Sequence, residues 1–402
     1  MKKAHAKLSP SAAERWMTCT PSANFELKFK ETTSVYAAEG TLAHKLGELL
    51  IRQKLNLITT MKFNKELQVI KKHELYEDTM LEFCDDYANF AVEKFSEALA
   101  DSDDAMIMLE ESLDMSKWVP DGFGTGDVVI VSDLVLRLID LKYGKGKPVT
   151  CENNKQMMLY ALGALEQFDY IYDIQEVELT IFQPRINNTA TWRISVEKLR
   201  AWADGELMEK AQLADKGLGE FVPGDHCHFC RAKAKCKALH DYNMEIAQFD
   251  FAAGEEISDD DLVFIMSRAQ MFTNWINSLQ DFALKQALNS GKNWPGYKVV
   301  QGTARRKYLD PDKVIQKLLK EGFKEDVITR PIQPLPITEM EKAISKKDFA
   351  RLLHDLVIIP DGKPTLVPET DKRPAYNSVQ KAQEDFDDDY LAQINGDPDR
   401  FD

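Results

Sequence analysis

Apolar positions recur along the chain in two rhythms, and the change between them sets the predicted architecture. From residue 7 to 50 the spacing is helical, broken by a polar loop near "KETTS". "SPSAAERWM" opens with serines suited to an N-cap. "YAAEGTLAHKLGELLIRQKL" sets Leu42, Leu46, Leu49 and Leu50 on one helical face. Residues 75–100 predict another amphipathic helix. From residue 106 the rhythm shortens to that of strands: "AMIMLEESLDM", "GDVVIVSD" and "LVLRLIDLKY", the last two meeting at "SD", a hairpin-type turn. A helix over "NNKQMMLYALGALEQF" and strands over "IQEVELTIFQPR" and "TWRISV" complete an α/β unit. Residues 193–245 read as helical around a group of cysteines, and 256–291 as one long helix. "GYKVVQGTARRKYL" predicts a short hairpin, and residues 310–355 a small helical region. From about 358, Pro, Gly, Asp and Lys accumulate and predict little fixed structure. The implied division is 1–245, then a mainly helical 246–357 with its hairpin, then a largely disordered acidic tail over 358–402.

Two acidic residues do not fit the strands that hold them. Asp127 opens one strand directly behind "GTG", and Asp140 closes the next. Antiparallel pairing across the short turn brings them together, and strand alternation puts Asp140 and Lys142 on one face with Leu141 turned away. Two carboxylates of this kind suit Mg²⁺ or Mn²⁺. A neighbouring ammonium can orient an attacking water or stabilise charge building on a phosphoryl group. The plainer interpretation is a surface hairpin with an ordinary Asp–Lys ion pair. Against it, the flanking "VVIV" and "LVLRLI" are apolar enough for burial. His44 and Glu48 lie four apart on one helix, as do Gln156 and Tyr160 on another, so each pair shares a helical face.

"EGTLAHKLGE", "GTGDVVIV", "LRLIDLKYGKGK" and "QMMLY" follow one another as the motifs of RecB-like nucleases do. Over about residues 10–240 the chain resembles that branch of the PD-(D/E)XK superfamily: a helix carrying His, a GxxD at a strand start, a D-x-K ending the next strand, and a helix with QxxxY. The resemblance implies a restriction-endonuclease-like α/β core, a mixed sheet flanked by helices with added helical regions. It also implies metal-dependent hydrolysis of DNA phosphodiesters, in exonuclease mode. His44, Asp127 and Asp140 would be metal ligands, with the Leu141 carbonyl completing the shell. Lys142 would be the catalytic lysine, while Gln156 and Tyr160 would shape the site and contact the DNA backbone. Glu48 is a further candidate without a family role. One departure is that Gly126, not proline, precedes Asp127.

Cys227, Cys230 and Cys236 form a C-x2-C-x5-C run, and Cys19 stands alone far upstream. Four thiolates can hold tetrahedral Zn²⁺ or a 4Fe–4S cluster, and His226, His228 and His240 offer zinc further ligands. One cysteine before the core and three after it resembles the arrangement in iron–sulfur nucleases of the same family, which implies a 4Fe–4S cluster tying the two ends of the domain together. Cys84 and Cys151 read as ordinary thiols.

Net charge is −15, against the usual sign for a nucleic-acid binder, but residues 376–402 alone carry eight acidic and two basic side chains. Elsewhere "CRAKAKCK" and "ARRKY" are locally basic and could face phosphates. No apolar run approaches the roughly 18 residues of a membrane span, and no apolar stretch follows the basic start, so the expected place is the cytoplasm. The ending "GKPTLVPETDKRPAYNS" resembles the tail of a phage-associated group with this nuclease core. That resemblance implies a role in phage replication or recombination, in the bacterial host cytoplasm. Two rivals remain: a non-catalytic DNA-binding or assembly protein on a nuclease-like scaffold, and a zinc-stabilised binding module.

Overall fold

Strands form where the apolar period shortens to two: β1 (Met106–Asp114), β2 (Phe123–Val131) and β3 (Leu134–Leu141). The computed structural model describes residues 6–30, 35–245, 258–302, 306–330, 333–358, 362–371 and 373–376. β2 pairs antiparallel with both β1 and β3. Helix α6 (Lys155–Phe168) then returns the chain so that β4 (Ile174–Gln183) lies parallel to β3, and β5 (Asn188–Ser195) closes the edge antiparallel to β4. The result is a five-stranded mixed sheet in the order β1-β2-β3-β4-β5. A parallel neighbour requires such a crossover, whereas β2 and β3 need only the two residues Ser132 and Asp133 between them.

Both faces of the sheet are buried, which explains why the central strands read as near-continuous apolar runs. Before the sheet come α1 (Ala13–Thr18), α2 (Ser22–Phe25), α3 (Val35–Lys54), α4 (Thr60–Lys71) and α5 (Asp78–Asp101). Val128, Ile130, Ile139 and Leu141 pack with Leu46, Ile51, Tyr87 and Ala91 of α3 and α5. Val129, Val131, Leu136 and Leu138 pack on the opposite face with Trp16, Met158 and Leu162. Each such side chain contributes about 1.5–3 kcal/mol when fully buried. α4 carries too thin a stripe to be predicted from the sequence, burying only Phe63 and Ile70.

α3 lies close on the sheet because Gly47 has no side chain. A Cβ there would stand 2.9 Å from Tyr87 Cδ1 and 3.7 Å from Leu141 Cδ2. Gly47→Ala gains about 1 kcal/mol of helix propensity and meets an overpacking cost of about 1–3 kcal/mol. The expected result is a net loss of roughly 1 kcal/mol, read as a lower melting temperature. A higher one would mean that the Tyr87 ring yields freely.

After β5 the reading of 193–245 as helical needs correction. α7 (Val196–Trp202), a π-helical turn over Ala203–Leu207 and α8 (Met208–Lys216) do continue without a break. The helix then stops at Gly217, whose φ of 69° starts a left-handed cap, and Gly219 repeats the excursion at 101°. From there to α9 (Lys237–Met244) the chain runs through short 3₁₀ turns, Asp225–Phe229 and Lys233–Lys235. The cysteines therefore sit in turns, not on a helix.

The chain divides into two compact units, Met1–Trp275 and Ile276–Asp402, and α10 (Asp259–Ser290) forms the expected long helix. In the second unit Val314, Leu318, Ile328, Met340, Phe349 and Leu353 make a small core of their own. The hairpin expected over "GYKVVQGTARRKYL" does not form among the described residues. Tyr297–Gly302 pairs with Gly362–Pro368, and Lys307–Tyr308 with Val357–Ile358. Gly362–Pro368 belongs to the stretch expected to carry little structure; Thr365 and Val367 supply β-branched residues that the surrounding Pro and Gly mask. Of the tail, residues 377–402 lie outside the described residues, as do Ala304 and Arg305 of "ARRKY".

Candidate functional site

Asp127 and Asp140 stand one position beyond Val128 and Ile139, the last residues that β2 and β3 pair. Beyond that point β2 stays with β1 while β3 stays with β4, so the sheet parts and leaves a polar notch between apolar layers. The Leu141 amide donates not to a backbone carbonyl of β2 but to Asp127 Oδ2, at 2.8 Å. That bond fixes the Asp127 carboxylate at the fork.

His44 reaches the same carboxylate from α3, with Nδ1 3.2 Å from Asp127 Oδ2. Burial would lower the imidazole's pKa, but the charge and hydrogen bond of Asp127 prevail and raise it to about 9. In this state His44 is a cation, and a metal at Nδ1 would have to displace its proton. Glu48, one turn further, is held by Arg52 at 2.8 Å instead.

Asp140 is 3 % exposed. Lys142 Nζ lies 2.6 Å from its Oδ2, an ion pair by distance, although Oδ2 has no aligned hydrogen-bond donor. Burial pushes the Asp140 carboxyl up, and Lys142 draws it back. For Lys142, burial pulls downward and the charge of Asp140 outweighs it, so the net shift is upward and the group stays an ammonium. Gln156 ties the pair to α6: its Nε2 donates to Asp140 Oδ1 at 3.0 Å, and its Oε1 accepts from Lys142 Nζ at 3.1 Å. Asn154 caps that helix by accepting from the Met157 amide, which sets Gln156 in the first turn. Tyr160 OH is 3.4 Å from Gln156 Nε2, and burial first, then Asp140, raise its phenol pKa.

The structure thus brings His44, Asp127, Asp140, Leu141, Lys142, Gln156 and Tyr160 to one notch. It adds Glu110 of β1, which the sequence pattern does not single out. One donor atom each from His44, Glu110 and Asp127 lie within 4.8 Å of one another, a grouping that does not include Asp140. Glu110 as a whole is exposed, yet partial desolvation and then the charge of Asp127 push its carboxyl up to about 7. Such crowding of carboxylates around one imidazole and one ammonium favours a bound cation.

Far from the notch, Cys19, Cys227, Cys230 and Cys236 line one cavity together with Arg15 and His226. Cys19 follows directly on α1, and the other three come from the turns before α9. Thr20, next to Cys19, donates to the Leu218 carbonyl at 2.6 Å, and Asn24 of α2 donates to that of Asp215 at 3.0 Å, so the two ends of the fold meet here. Burial pushes the Cys230 thiol up to about 11 and raises that of Cys227 as well. Among the described residues no three cysteine sulfurs lie within 4.8 Å of one another. Thiolates about 2.3 Å from a tetrahedral zinc would lie roughly 4 Å apart, so binding zinc or a cluster here would draw the four cysteines into a closer set. His226 is hydrogen-bonded to the Val222 carbonyl at 2.9 Å, and His228 and His240 do not line the cavity. Cys84 and Cys151 are buried elsewhere, with thiols raised to about 12 by burial. The basic side chains beside the cysteines are engaged within the chain: Arg231 with Glu26, Lys233 with the His228 carbonyl, Lys237 with Asp241. Among the described residues no helix is long and apolar enough to cross a membrane.

A family model described as "Protein of unknown function (DUF2800)" matches residues 5–374. The chain belongs to that family. A solved structure titled "Crystal structure of SSO0001" is 13% identical to it, over 56% of this chain and 96% of that one, with a TM-score of 0.21. That likeness is too slight to inform the fold or the site.

Proposed function

We propose that this DUF2800 family member is a Mg²⁺- or Mn²⁺-dependent deoxyribonuclease, an exonuclease built on a RecB-like PD-(D/E)XK core. The observation that carries the reading is the linked set at the fork of the sheet. His44 and the Leu141 amide fix Asp127, while Gln156 grips Asp140 and Lys142 together. An apolar-walled notch with two carboxylates, an imidazole and an ammonium suits a phosphodiester held beside a hard cation. A divalent ion there would supply Lewis-acid polarisation of the scissile phosphate and neutralise its charge. His44, Asp127 and Asp140 would hold that ion, with the Leu141 carbonyl. Lys142, an ammonium beside Asp140, stabilises negative charge gathering on the phosphoryl oxygens. Gln156 holds the ammonium and Asp140 in one fixed pair, and Tyr160 supports Gln156 from the next turn.

The four-cysteine cavity is read as a 4Fe–4S site because one cysteine before the core and three after it resemble the order in iron–sulfur nucleases, with zinc as the alternative occupant. Held by Cys19, Cys227, Cys230 and Cys236, such a cluster would be structural. A place in phage replication or recombination rests on the resemblance of the chain's ending.

The test is degradation of end-labelled linear single- and double-stranded DNA by protein purified without oxygen. Shortened products with Mn²⁺ or Mg²⁺ and none in EDTA are expected, with Asp127→Asn silent in both. DNA retained but uncut under every metal condition would replace the enzyme with a binding scaffold.

A further inference from the structure

Glu110 sits in the middle of β1 directly across from Asp127: its neighbours Leu109 and Glu111 pair with Val128 and Gly126 on either side. Its φ is 53°, the left-handed region that a side chain of this kind rarely adopts within a strand. Glycine would suit the position better, so local chain energetics do not explain a glutamate there. Strain of this sort persists where a side chain has to be aimed. Here the aim is at His44 and Asp127, whose donor atoms lie within 4.8 Å of the Glu110 carboxylate. Asp140, 3 % exposed, is engaged with Lys142 at 2.6 Å and Gln156 at 3.0 Å, which leaves Glu110 as the third donor in the grouping with His44 and Asp127. Glu110 and Asp127 thus set two carboxylates beside one imidazole, a donor set of the kind that holds a divalent cation.

We propose that Glu110 is a ligand of the divalent cation held at His44 and Asp127, placed there by its left-handed backbone. The inference rests on the metal-dependent reading above and adds a donor from β1, outside the motif strands. With Asp140 and the Leu141 carbonyl of β3, the donors to that cation would then come from four elements, α3, β1, β2 and β3.

The test separates this role from a structural one by reading metal binding without DNA. Mn²⁺ is titrated calorimetrically into wild type, Glu110→Gly, Glu110→Gln and the neighbouring control Glu111→Gln, and each is melted in EDTA and in Mn²⁺. Glu110→Gly should melt in EDTA at or above the wild-type temperature, since glycine accepts the backbone and one repelling carboxylate is gone. Its Mn²⁺ affinity should fall about tenfold or more, as should that of Glu110→Gln, and the gain in melting temperature on adding Mn²⁺ should shrink accordingly. Glu111→Gln should bind as the wild type does. Wild-type affinity in both Glu110 variants would overturn the proposal, as would an equal loss in Glu111→Gln, which would signal a general effect of charge. A wild type that binds no Mn²⁺ would sink the metal-dependent reading itself, a different result from wild-type binding that survives loss of Glu110.

Discussion

Lys142→Ala is expected to slow DNA hydrolysis by about 10²–10³-fold, the usual consequence of removing one group that stabilises developing charge. Binding of DNA in EDTA should change far less, because one ammonium in a notch adds little to a backbone contact made over many phosphates. The substitution also strips a buried carboxylate of its partner. Breaking a buried pair costs about 3–5 kcal/mol at most, and the 31 % exposure of the Lys142 side chain reduces that figure. Asp140, already pushed up by burial, then takes up a proton more readily. The double variant Asp140→Asn, Lys142→Ala leaves no unpaired charge. It should therefore melt above Lys142→Ala while remaining equally inactive. That contrast shows that the loss of activity does not follow from unfolding. Because Asp140→Asn also removes a proposed cation ligand, the single Lys142→Ala variant, folded and still binding DNA, is the one that reports on the ammonium. Lys142→Ala cleaving within twofold of wild type would remove Lys142 from the chemistry.

The meeting of Asp127 and Asp140 is legible in the sequence because so little chain separates their strands. Two residues, Ser132 and Asp133, leave β2 and β3 few registers, and the apolar alternation on both faces selects one of them. The helical spacing of His44, and of Gln156 with Tyr160, likewise survives into the fold because α3 and α6 each bury a broad face. Glu110 is not legible for the converse reason. Residues 115–122 between β1 and β2 form a long turn that fixes no register, and nothing local announces that Glu110 lies opposite Asp127. The left-handed backbone at that position is invisible in a strand pattern. Long-range pairing defeats local reading again in the second unit, where Tyr297–Gly302 finds its partner some sixty residues onward instead of in the next few. In the cysteine segment, Gly217, Gly219, Pro223 and Gly224 break the helix while the apolar spacing of the flanks suggests continuity.

Cys230→Ser should cost the protein its iron, its visible absorbance and a large part of its stability. Between Gly217 and α9 the chain has no sheet ladder and only short 3₁₀ turns, Asp225–Phe229 and Lys233–Lys235, to hold it. Phe221 stacks edge-on to Phe25 at 5.4 Å, but the cavity behind it is lined by the four cysteines. A cluster bound there would act as the core of this segment. It would also close a loop from Cys19 to Cys227, for which chain entropy gives an upper figure of about 5 kcal/mol. The ends are partly held already, by Lys7 with Asp215, Thr20 with Leu218 and Asn24 with Asp215. The expected loss is therefore smaller, about 2–4 kcal/mol, equivalent to roughly 4–16 °C in melting temperature. Burial pushes the Cys230 thiol up to about 11, so binding a metal through this sulfur must expel a proton. Arg15 eases this, because its charge, anchored by Glu26 at 2.7 Å, lowers both the Cys227 and the Cys230 thiols. Metal analysis of anaerobically purified wild type and Cys230→Ser decides the matter alongside the melting curves. Iron near four per chain in the first and almost none in the second is the expected pair. Zinc in place of iron would change the cofactor and keep the structural role, whereas an unaltered melting temperature without either metal would end it.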